Sequence, residues 1–396
     1  MLIKNTLENY FSRISIALIN QFSIIISIIF LANKADIMTF GQLSISFILI
    51  NIVWVFTEWG FTYYSIENYK NDKNSNYFIS IILIIKLFGC FLFSILLYYL
   101  IKFELIEIPV SFYYSIIPAI IFTSINPIWI FQIQNTVSKI IIPTLISRII
   151  FLCLIIFFFD NMHPHHALLA QSFSTVINVL YSYVLLYKDH NFRLIKIALK
   201  DMYIFLARSY PYFKNSLVNN QMSYLWSIGI AIIVGPVGIA IYRIGDQFYN
   251  SGSFLINIFV QVFRIQSKNY NFKKVNEVFL RIISPIAFIF VLLFLYSDAI
   301  ISILLNNDFA LSSKFLRLLI LACFINASTK IITYVLLVKK IKTEGIHKLS
   351  NLFIIYHFVG FVFWALMFQT LNSVAIIFVT VNLFHFLTVA FITYKK

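Results

Sequence analysis

The sequence is poor in charge. Asp, Glu, Lys and Arg make up only 11% of its 396 residues, whereas hydrophobic residues make up 61%. Because soluble domains carry about a quarter charged residues, this composition excludes an ordinary soluble protein and predicts an integral membrane protein. Cysteine is also scarce. Cys90, Cys153 and Cys323 all lie in apolar runs, with no CxxC or Cys/His spacing, so we expect free thiols without a redox or metal role.

The sequence also lacks the motifs that carry common chemistry. It contains no Gly-rich phosphate-binding loop, no GxSxG and no metalloprotease motif, so nothing indicates ATP use or hydrolysis, and we expect no enzyme. A histidine group, His163, His165 and His166, occurs in the sequence HPHH without acidic or cysteine neighbours. We therefore expect a solvated turn there and no metal site.

Long apolar segments are abundant. Crossing a bilayer takes about 20 apolar residues, and twelve segments of suitable length can be counted. The first has a basic flank but no small-residue cleavage pattern, which is typical of a retained span and not of a removed signal. The twelve predicted spans cover residues 12–32, 43–64, 78–101, 111–133, 140–159, 166–187, 214–234, 239–262, 279–297, 316–338, 349–369 and 372–393.

Basic residues give the expected orientation. If the N-terminus and every second loop face one side, that side holds 22 of the 30 Lys and Arg residues. The positive-inside rule then places both termini in the cytoplasm. The net charge of +15 thus reflects membrane topology and does not indicate nucleic-acid binding. The opposite side holds four basic residues: Lys34, Lys102, Lys314 and Arg317.

The central connection is basic and amphipathic. Arg193, Lys196 and Lys200 recur at helical spacing, opposite an apolar face. This pattern predicts a helix on the cytoplasmic surface, ended by Pro211.

That helix divides the chain into two halves of six spans each. We predict an N-terminal bundle over 1–190, a linker helix over 191–212 and a C-terminal bundle over 213–396. Because each half has an even number of spans, the halves would be parallel repeats. Parallel repeats around a central cavity are one plan for membrane transporters.

Four cations lie within the spans: Lys86, Arg148, Arg243 and Lys330. A cation at the centre of a membrane helix costs about 2.5–3.5 kcal/mol on insertion scales, so something must compensate each. Lys86, Arg148 and Lys330 each lie eight or nine residues from the predicted cytoplasmic end of their span. At about 1.5 Å per residue, that places them roughly 12–14 Å deep, in one layer.

Two explanations for these cations remain open. Glu58 can pair with Lys86 and Asp246 with Arg243, and long basic side chains can snorkel. The spans contain no carboxylate for Arg148 or Lys330, however. A water-filled, cation-lined cavity would suit an anion such as phosphate or pyrophosphate, which arginine grips with two parallel hydrogen bonds.

Several segments resemble the O-antigen flippases (Wzx type) of the multidrug/oligosaccharidyl-lipid/polysaccharide (MOP) superfamily, and the resemblance extends over the whole chain. The stretch leading to Arg148 is the most specific: it combines a Trp/Phe/Gln cluster, a short turn and then an arginine. The segments that carry the resemblance are FGQ (40–42), EWGF (58–61), ISIILIIKL (79–87), PIWIFQIQNTVSKIIIPTLISRII (127–150) and VGPVGIAIYRIGDQF (234–248).

The resemblance implies a flippase in the bacterial cytoplasmic membrane. It would move undecaprenyl-pyrophosphate-linked O-antigen or polysaccharide repeat units to the outer leaflet by alternating access. It implies no cofactor other than a coupling ion, H⁺ or Na⁺. The implied partners are the lipid-linked oligosaccharide, membrane lipids and a polysaccharide polymerase or chain-length protein, and not nucleic acid.

The same resemblance implies roles for individual residues. Lys86, Arg148 and Lys330 would contact the pyrophosphate, with Arg243 as a further cavity cation or gate. Glu58 and Asp246 are the candidates for coupling or gating, as carriers of a proton.

Three alternatives remain. A multidrug or ion antiporter of the same superfamily would need acidic cavity residues for cationic drugs, whereas cations outnumber carboxylates within these spans. A flippase for lipid-linked peptidoglycan precursors would commonly carry additional spans. A membrane-embedded polysaccharide polymerase or ligase would be an enzyme, and it typically has a large outer loop that is not found here.

Overall fold

The computed structural model describes residues 2–68, 75–134, 136–158, 163–190, 194–220, 222–267, 284, 287–333 and 343–394. Every regular element in these ranges is a helix. The longer helices are α1 Leu2–Lys34, α2 Ile37–Glu58, α3 Phe61–Asn68, α4 Ser75–Lys102, α5 Val110–Ser124, α6 Ile128–Ile133, α7 Ile141–Phe158, α8 His166–His190, α9 Leu199–Asn220, α10 Met222–Ile233, α11 Gly235–Ser267, α12 Ala287–Leu295, α13 Ser297–Leu304, α14 Ser312–Ile331, α15 Thr343–Met367 and α16 Leu371–Tyr394.

These helices match the apolar segments of the sequence. Each predicted span overlaps one helix or two consecutive ones. In the described ranges, seven helices are long and apolar enough to cross a membrane, or eight if α12 and α13, which meet at a bend of 68°, form one span. The predicted class, an all-α integral membrane protein, is confirmed.

The chain forms two compact units. The first comprises Met1–Ala35 and Gln42–Tyr224, and the second comprises Asp36–Gly41 and Leu225–Lys396. In the first unit, α5 packs against α4 and α8, while α7 packs against α1 and α8. In the second unit, α14 packs against α11 and α16, and α15 packs against α16.

Two predicted spans of the first unit are broken helices. The second span divides into α2 and α3 at Trp59 and Gly60, which both have positive φ, 43° and 67°. The fourth divides into α5 and α6 just before Pro127, the residue that precedes the first turn of α6. Proline suits a helix start because it lacks an N–H and disfavours helical geometry in the residue before it.

The connecting helix α9 differs from its prediction. It does not end at Pro211 but continues through this residue to Asn220, and it begins only at Leu199, after an irregular segment that includes Lys196. Arg193 lies outside the described residues. A proline removes one backbone hydrogen bond, yet membrane proteins tolerate it where packing holds the helix, and α9 packs against α3 and α4.

The first turn of α2 belongs to the second unit. Asp36 caps this helix, since its carboxylate accepts a hydrogen bond from the Thr39 amide at 2.9 Å. Hydrogen bonds from the Thr39 side chain and amide lower the pKa of Asp36. Gly41 follows in the FGQ segment, and a Cβ there would lie only 2.0 Å from the Pro236 carbonyl oxygen. Glycine therefore permits the close approach of α2 to α11.

Candidate functional site

Lys86 forms an ion pair with Glu58. Its Nζ donates a hydrogen bond to the Glu58 carboxylate, and the lysine is only 1% exposed. Nζ also lies 5.8 Å from the centre of the Trp129 ring, a distance that permits a cation–π interaction. The pairing that the sequence left open is present, and it compensates the charge of Lys86.

The break between α2 and α3 positions Glu58. Glu58 is the last residue of α2, and its Oε1 accepts hydrogen bonds from the Thr62 amide, at 3.0 Å, and the Thr62 hydroxyl. The carboxylate thus lies at the N-terminus of α3, where amide groups favour a negative charge. The Trp59 ring stacks on Phe213 of α9 with centroids 4.1 Å apart. This contact holds the broken segment against α9.

Arg148 is bound differently, because its partner is a neutral amide. Its Nε donates to Oδ1 of Asn20 on α1 at 2.7 Å, and the arginine is half-buried. No salt bridge to Arg148 occurs in the described part of the chain. The guanidinium is therefore held in place while its charge remains uncompensated by these residues.

A second arginine, Arg13, lies on α1 itself. Arg13 lies seven residues before Asn20, which is close to two helical turns, and its Nη2 donates to the Gln132 carbonyl of α6 at 2.9 Å. Sequence reasoning assigned Arg13 to the cytoplasmic flank and did not consider Asn20. Their common signal is a spacing of seven across the largely apolar stretch ISIALI (14–19) of α1.

In the second unit, Arg243 and Asp246 form a buried ion pair. They lie three residues apart on α11, and Nη1 of the arginine lies 2.8 Å from Oδ2 of the aspartate. Asp246 is fully buried and Arg243 is 5% exposed. This pairing also agrees with the alternative that the sequence left open, so Arg243, like Lys86, has its own carboxylate.

Lys330 resembles Arg148 in lacking a carboxylate. It lies near the end of α14 and is half-buried, and no salt bridge reaches it from the described residues. Of the four cations within spans, Lys86 and Arg243 are thus paired with an acidic residue. The other two, Arg148 and Lys330, form no salt bridge with the described residues. The binding, coupling and gating roles of all six candidate residues stay predictions.

Histidines are more prominent in the structure than in the sequence analysis. The rings of His165 and His166 lie 4.5 Å apart, and burial together with the neighbouring His166 and His163 lowers the pKa of His165. Within the described ranges, no group of three or more His, Cys, Asp or Glu side chains could hold a metal ion. Two further histidines, His357 and His385, are buried in the second unit. Sequence reasoning missed them, although a polar residue within an apolar run is itself a signal.

The fold is shared with known transporters. The chain is similar to the lipid II flippase MurJ, with 14% identity and a TM-score of 0.67, over 100% of this chain and 88% of that one. It is similar to a mutant of the MATE transporter VcmN of Vibrio cholerae, with 10% identity and a TM-score of 0.58, over 99% of this chain and 96% of that one. It is also similar to a MOP-superfamily transporter from Pyrococcus furiosus, with 10% identity and a TM-score of 0.57, over 99% of this chain and 96% of that one. The fold is therefore that of MOP-superfamily transporters.

A family model identifies the chain more closely. The model described as "Polysaccharide biosynthesis protein" matches residues 6–269. The chain belongs to this family, and it is a multi-pass membrane protein with the fold of MOP-superfamily transporters, as its sequence segments indicated. A search of curated proteins finds no match.

Proposed function

We propose that this protein is a flippase that moves undecaprenyl-pyrophosphate-linked O-antigen or polysaccharide repeat units across the cytoplasmic membrane. Its family supports a role in polysaccharide biosynthesis, and the fold that it shares with a lipid II flippase supports a lipid-linked substrate. The proposal depends most on Arg148, a half-buried membrane cation that a neutral side chain holds in place.

The Arg148 geometry suits a diphosphate. An arginine side chain carries five N–H donors, and Asn20 occupies the one on Nε. Within the described residues no hydrogen bond engages Nη1 or Nη2, so the edge that they form is available for two parallel hydrogen bonds to phosphate oxygens. Because Asn20 carries no charge, it orients the guanidinium without competing for it. A carboxylate in the same place would weaken anion binding.

Lys330 is the second headgroup candidate. An ammonium group binds phosphate as a point charge with rotatable donors, so it can follow a diphosphate that moves. Lys86 and Arg243 are weaker candidates, since each already has a carboxylate partner. For those two pairs we propose coupling or gating, in which proton binding by Glu58 or Asp246 would release the cation.

The proposed transport runs from the inner to the outer leaflet. Both termini would face the cytoplasm, and the pyrophosphate would be captured from the inner leaflet. Alternating access would then release the lipid in the outer leaflet, driven by an H⁺ or Na⁺ gradient. A polysaccharide polymerase or chain-length protein would act on the product, and the protein itself would catalyse no reaction.

A multidrug or ion antiporter is the main rival. Cationic drugs need an unpaired carboxylate, but Glu58 and Asp246, the two carboxylates predicted within the spans, each carry a basic partner. The charges left without an acidic partner in the described residues are cations, which favours an anionic cargo. A membrane-embedded polymerase is less well supported, because the family and the fold are those of transporters.

Complementation tests the proposal. Arg148→Ala, Arg148→Lys, Lys330→Ala and the control Lys314→Ala would be expressed in a strain that lacks its own flippase. Lys314 is matched to Lys330 because it is an exposed lysine at the other end of α14. We expect both alanine variants to lose most surface polysaccharide, measured by gel, while their amounts in the membrane stay normal.

The other two variants separate the effect of charge from the effect of hydrogen-bond geometry and provide a control. Arg148→Lys keeps the charge but loses the two-donor edge, so it should restore only a minor part of the polysaccharide. Lys314→Ala should behave as the wild type. Normal polysaccharide in both Arg148→Ala and Lys330→Ala would contradict the headgroup assignment.

A further inference from the structure

Two buried histidines pack against one aromatic ring in the second unit and have no role in the function proposed above. His357 of α15 is 0% exposed and His385 of α16 is 9% exposed. Both pack on the same ring, since the centroid of Phe353 lies 4.3 Å from that of His357 and 4.9 Å from that of His385. Their hydrogen bonds determine which nitrogen of each ring carries the proton.

Trp226 fixes the tautomer of His357. The Trp226 Nε1–H donates to Nδ1 of His357 at 3.1 Å. An indole N–H can only donate, so Nδ1 must carry a lone pair and the neutral ring must carry its proton on Nε2. This Nε2–H has no hydrogen-bond partner among the described residues. His357 thus presents a buried, unused donor.

His385 has the opposite tautomer. Its ring hydrogen-bonds to the backbone of Leu349 on α15, whereas its Nε2 has no partner in the described part of the chain. A carbonyl can only accept, so the proton of the neutral ring lies on Nδ1 and the lone pair on Nε2. His385 therefore presents a buried, unused acceptor, whereas His357 presents a buried, unused donor.

We propose that Nε2 of His385 is a proton-binding site. A proton delivered by water would form an Nε2–H bond at the lone pair. The ring would become an imidazolium that donates from Nδ1 to Leu349 and from Nε2 to water. His357 would remain neutral, because protonation of its Nδ1 would require the hydrogen bond from Trp226 to break. The site goes beyond the proposed function, since it involves none of the cations assigned to the substrate.

The surroundings favour a proton over a metal ion. A metal would need lone pairs from several ligands, but the His357 nitrogen that lacks a partner carries a hydrogen, which leaves one donor atom. Among the described side chains, the titratable or charged groups on the helices packed against α16 are Lys314, Arg317, Cys323 and Lys330 on α14 and Tyr356 and His357 on α15, and Tyr249 of α11 contacts α16 through Phe378. None of these is a carboxylate.

Protonation would consequently place an unpaired positive charge inside the second unit. Such a charge is costly in an apolar interior and favours any conformation that admits water to the site. Aromatic rings such as Phe353 offset a part of this cost through their faces. Proton uptake at His385 would in this way favour a hydrated conformation of the second unit.

Nitrogen NMR of the full-length protein tests the proposal. The protein would be labelled with ¹⁵N in the histidine rings, placed in lipid nanodiscs and titrated from about pH 8 to about pH 4, a range that includes the ordinary titration of imidazole. The variants His385→Gln and His357→Gln assign the signals. We expect neutral His357 with its proton on Nε2 at every pH, and His385 gaining a second proton on Nε2 as the pH falls.

The variant Trp226→Phe tests whether the hydrogen bond from Trp226, and not packing alone, fixes the tautomer of His357. The phenyl ring retains much of the packing but removes the N–H donor, so His357 should lose its fixed tautomer and begin to titrate. A His385 that stays neutral across the range, or that carries its proton on Nε2 at about pH 8, would overturn the proposal. A wild-type His357 that titrates would overturn it too.

Discussion

At the scale of single residues, the chain stabilises membrane cations in two ways. Lys86 and Arg243 each meet a carboxylate, which neutralises the charge. Arg148 meets the amide of Asn20, which fixes the position of the guanidinium and leaves its charge. The distinction is chemical, and it indicates which cations hold the protein together and which can attract a ligand.

The Lys86–Glu58 pair gives a prediction on stability. Lys86→Ala should lower the free energy of unfolding by about 3–5 kcal/mol, because it leaves a buried carboxylate without its partner. The double variant Lys86→Met/Glu58→Gln removes both charges and should recover most of this loss. Thermal unfolding in detergent micelles measures both effects. Equal losses in the single and the double variant would show that the cost comes from packing and not from an unpaired charge.

At the scale of elements, broken helices place the polar groups. Glu58 reaches Lys86 because α2 ends at Glu58 and the carboxylate accepts a hydrogen bond from the Thr62 amide in the first turn of α3. Gly60 makes this break, since its φ is +67° and a Cβ would lie 2.5 Å from backbone atoms of Tyr212 and Phe213. The sequence marked EWGF only as a segment of resemblance, and the contact with α9 explains its glycine.

Replacing Gly60 should therefore be severe. In Gly60→Ala, the left-handed backbone alone costs about 1–3 kcal/mol, and the clash with α9 adds to it. We expect a lower midpoint of thermal unfolding and less protein in the membrane. Gly89→Ala is the matched control, because the added Cβ would lie 3.1 Å from a methyl group of Thr57 and the backbone there is helical. A Gly60→Ala protein as stable as Gly89→Ala would show that the break tolerates a side chain.

The element α9 shows a limit of sequence patterns. Pro211 predicted a helix end because proline lacks an N–H, and that rule holds for an isolated helix. In the folded chain, the segment around Pro211 packs on the broken span, where Phe213 stacks on Trp59. Tertiary contacts that a local pattern does not contain therefore outweigh the cost of one missing hydrogen bond.

At the scale of the whole molecule, the fold and the family agree. The first unit contains the Arg148 and Lys86 sites, and the second contains the Arg243 pair, Lys330 and the histidine pair. The match to the polysaccharide biosynthesis family covers residues 6–269, which include Lys86, Arg148 and Arg243 but neither Lys330 nor the two histidines.

Orientation in the membrane gives the prediction at this scale. In a variant without Cys90, Cys153 and Cys323, single cysteines would be introduced by Lys139→Cys and Glu107→Cys, two exposed positions in consecutive loops of the first unit. The excess of basic residues predicts that Lys139 faces the cytoplasm and Glu107 the outside. A membrane-impermeant thiol reagent applied to intact cells should label position 107 and reach position 139 only after lysis. Labelling of both positions in intact cells would contradict the topology.

The sequence by itself determined the membrane class, the helical segments and the four cations within them, because hydrophobicity and length suffice to predict a span. It also named both ion pairs as alternatives. Only the tertiary structure decided that Lys86 and Arg243 are neutralised, that Asn20 orients Arg148, and that His357 and His385 adjoin one ring. The physical reason is that the Lys86–Glu58 and Arg148–Asn20 contacts join residues 28 and 128 positions apart, so helix packing and not local pattern creates them. The Arg243–Asp246 pair, three residues apart on one helix, is the local exception.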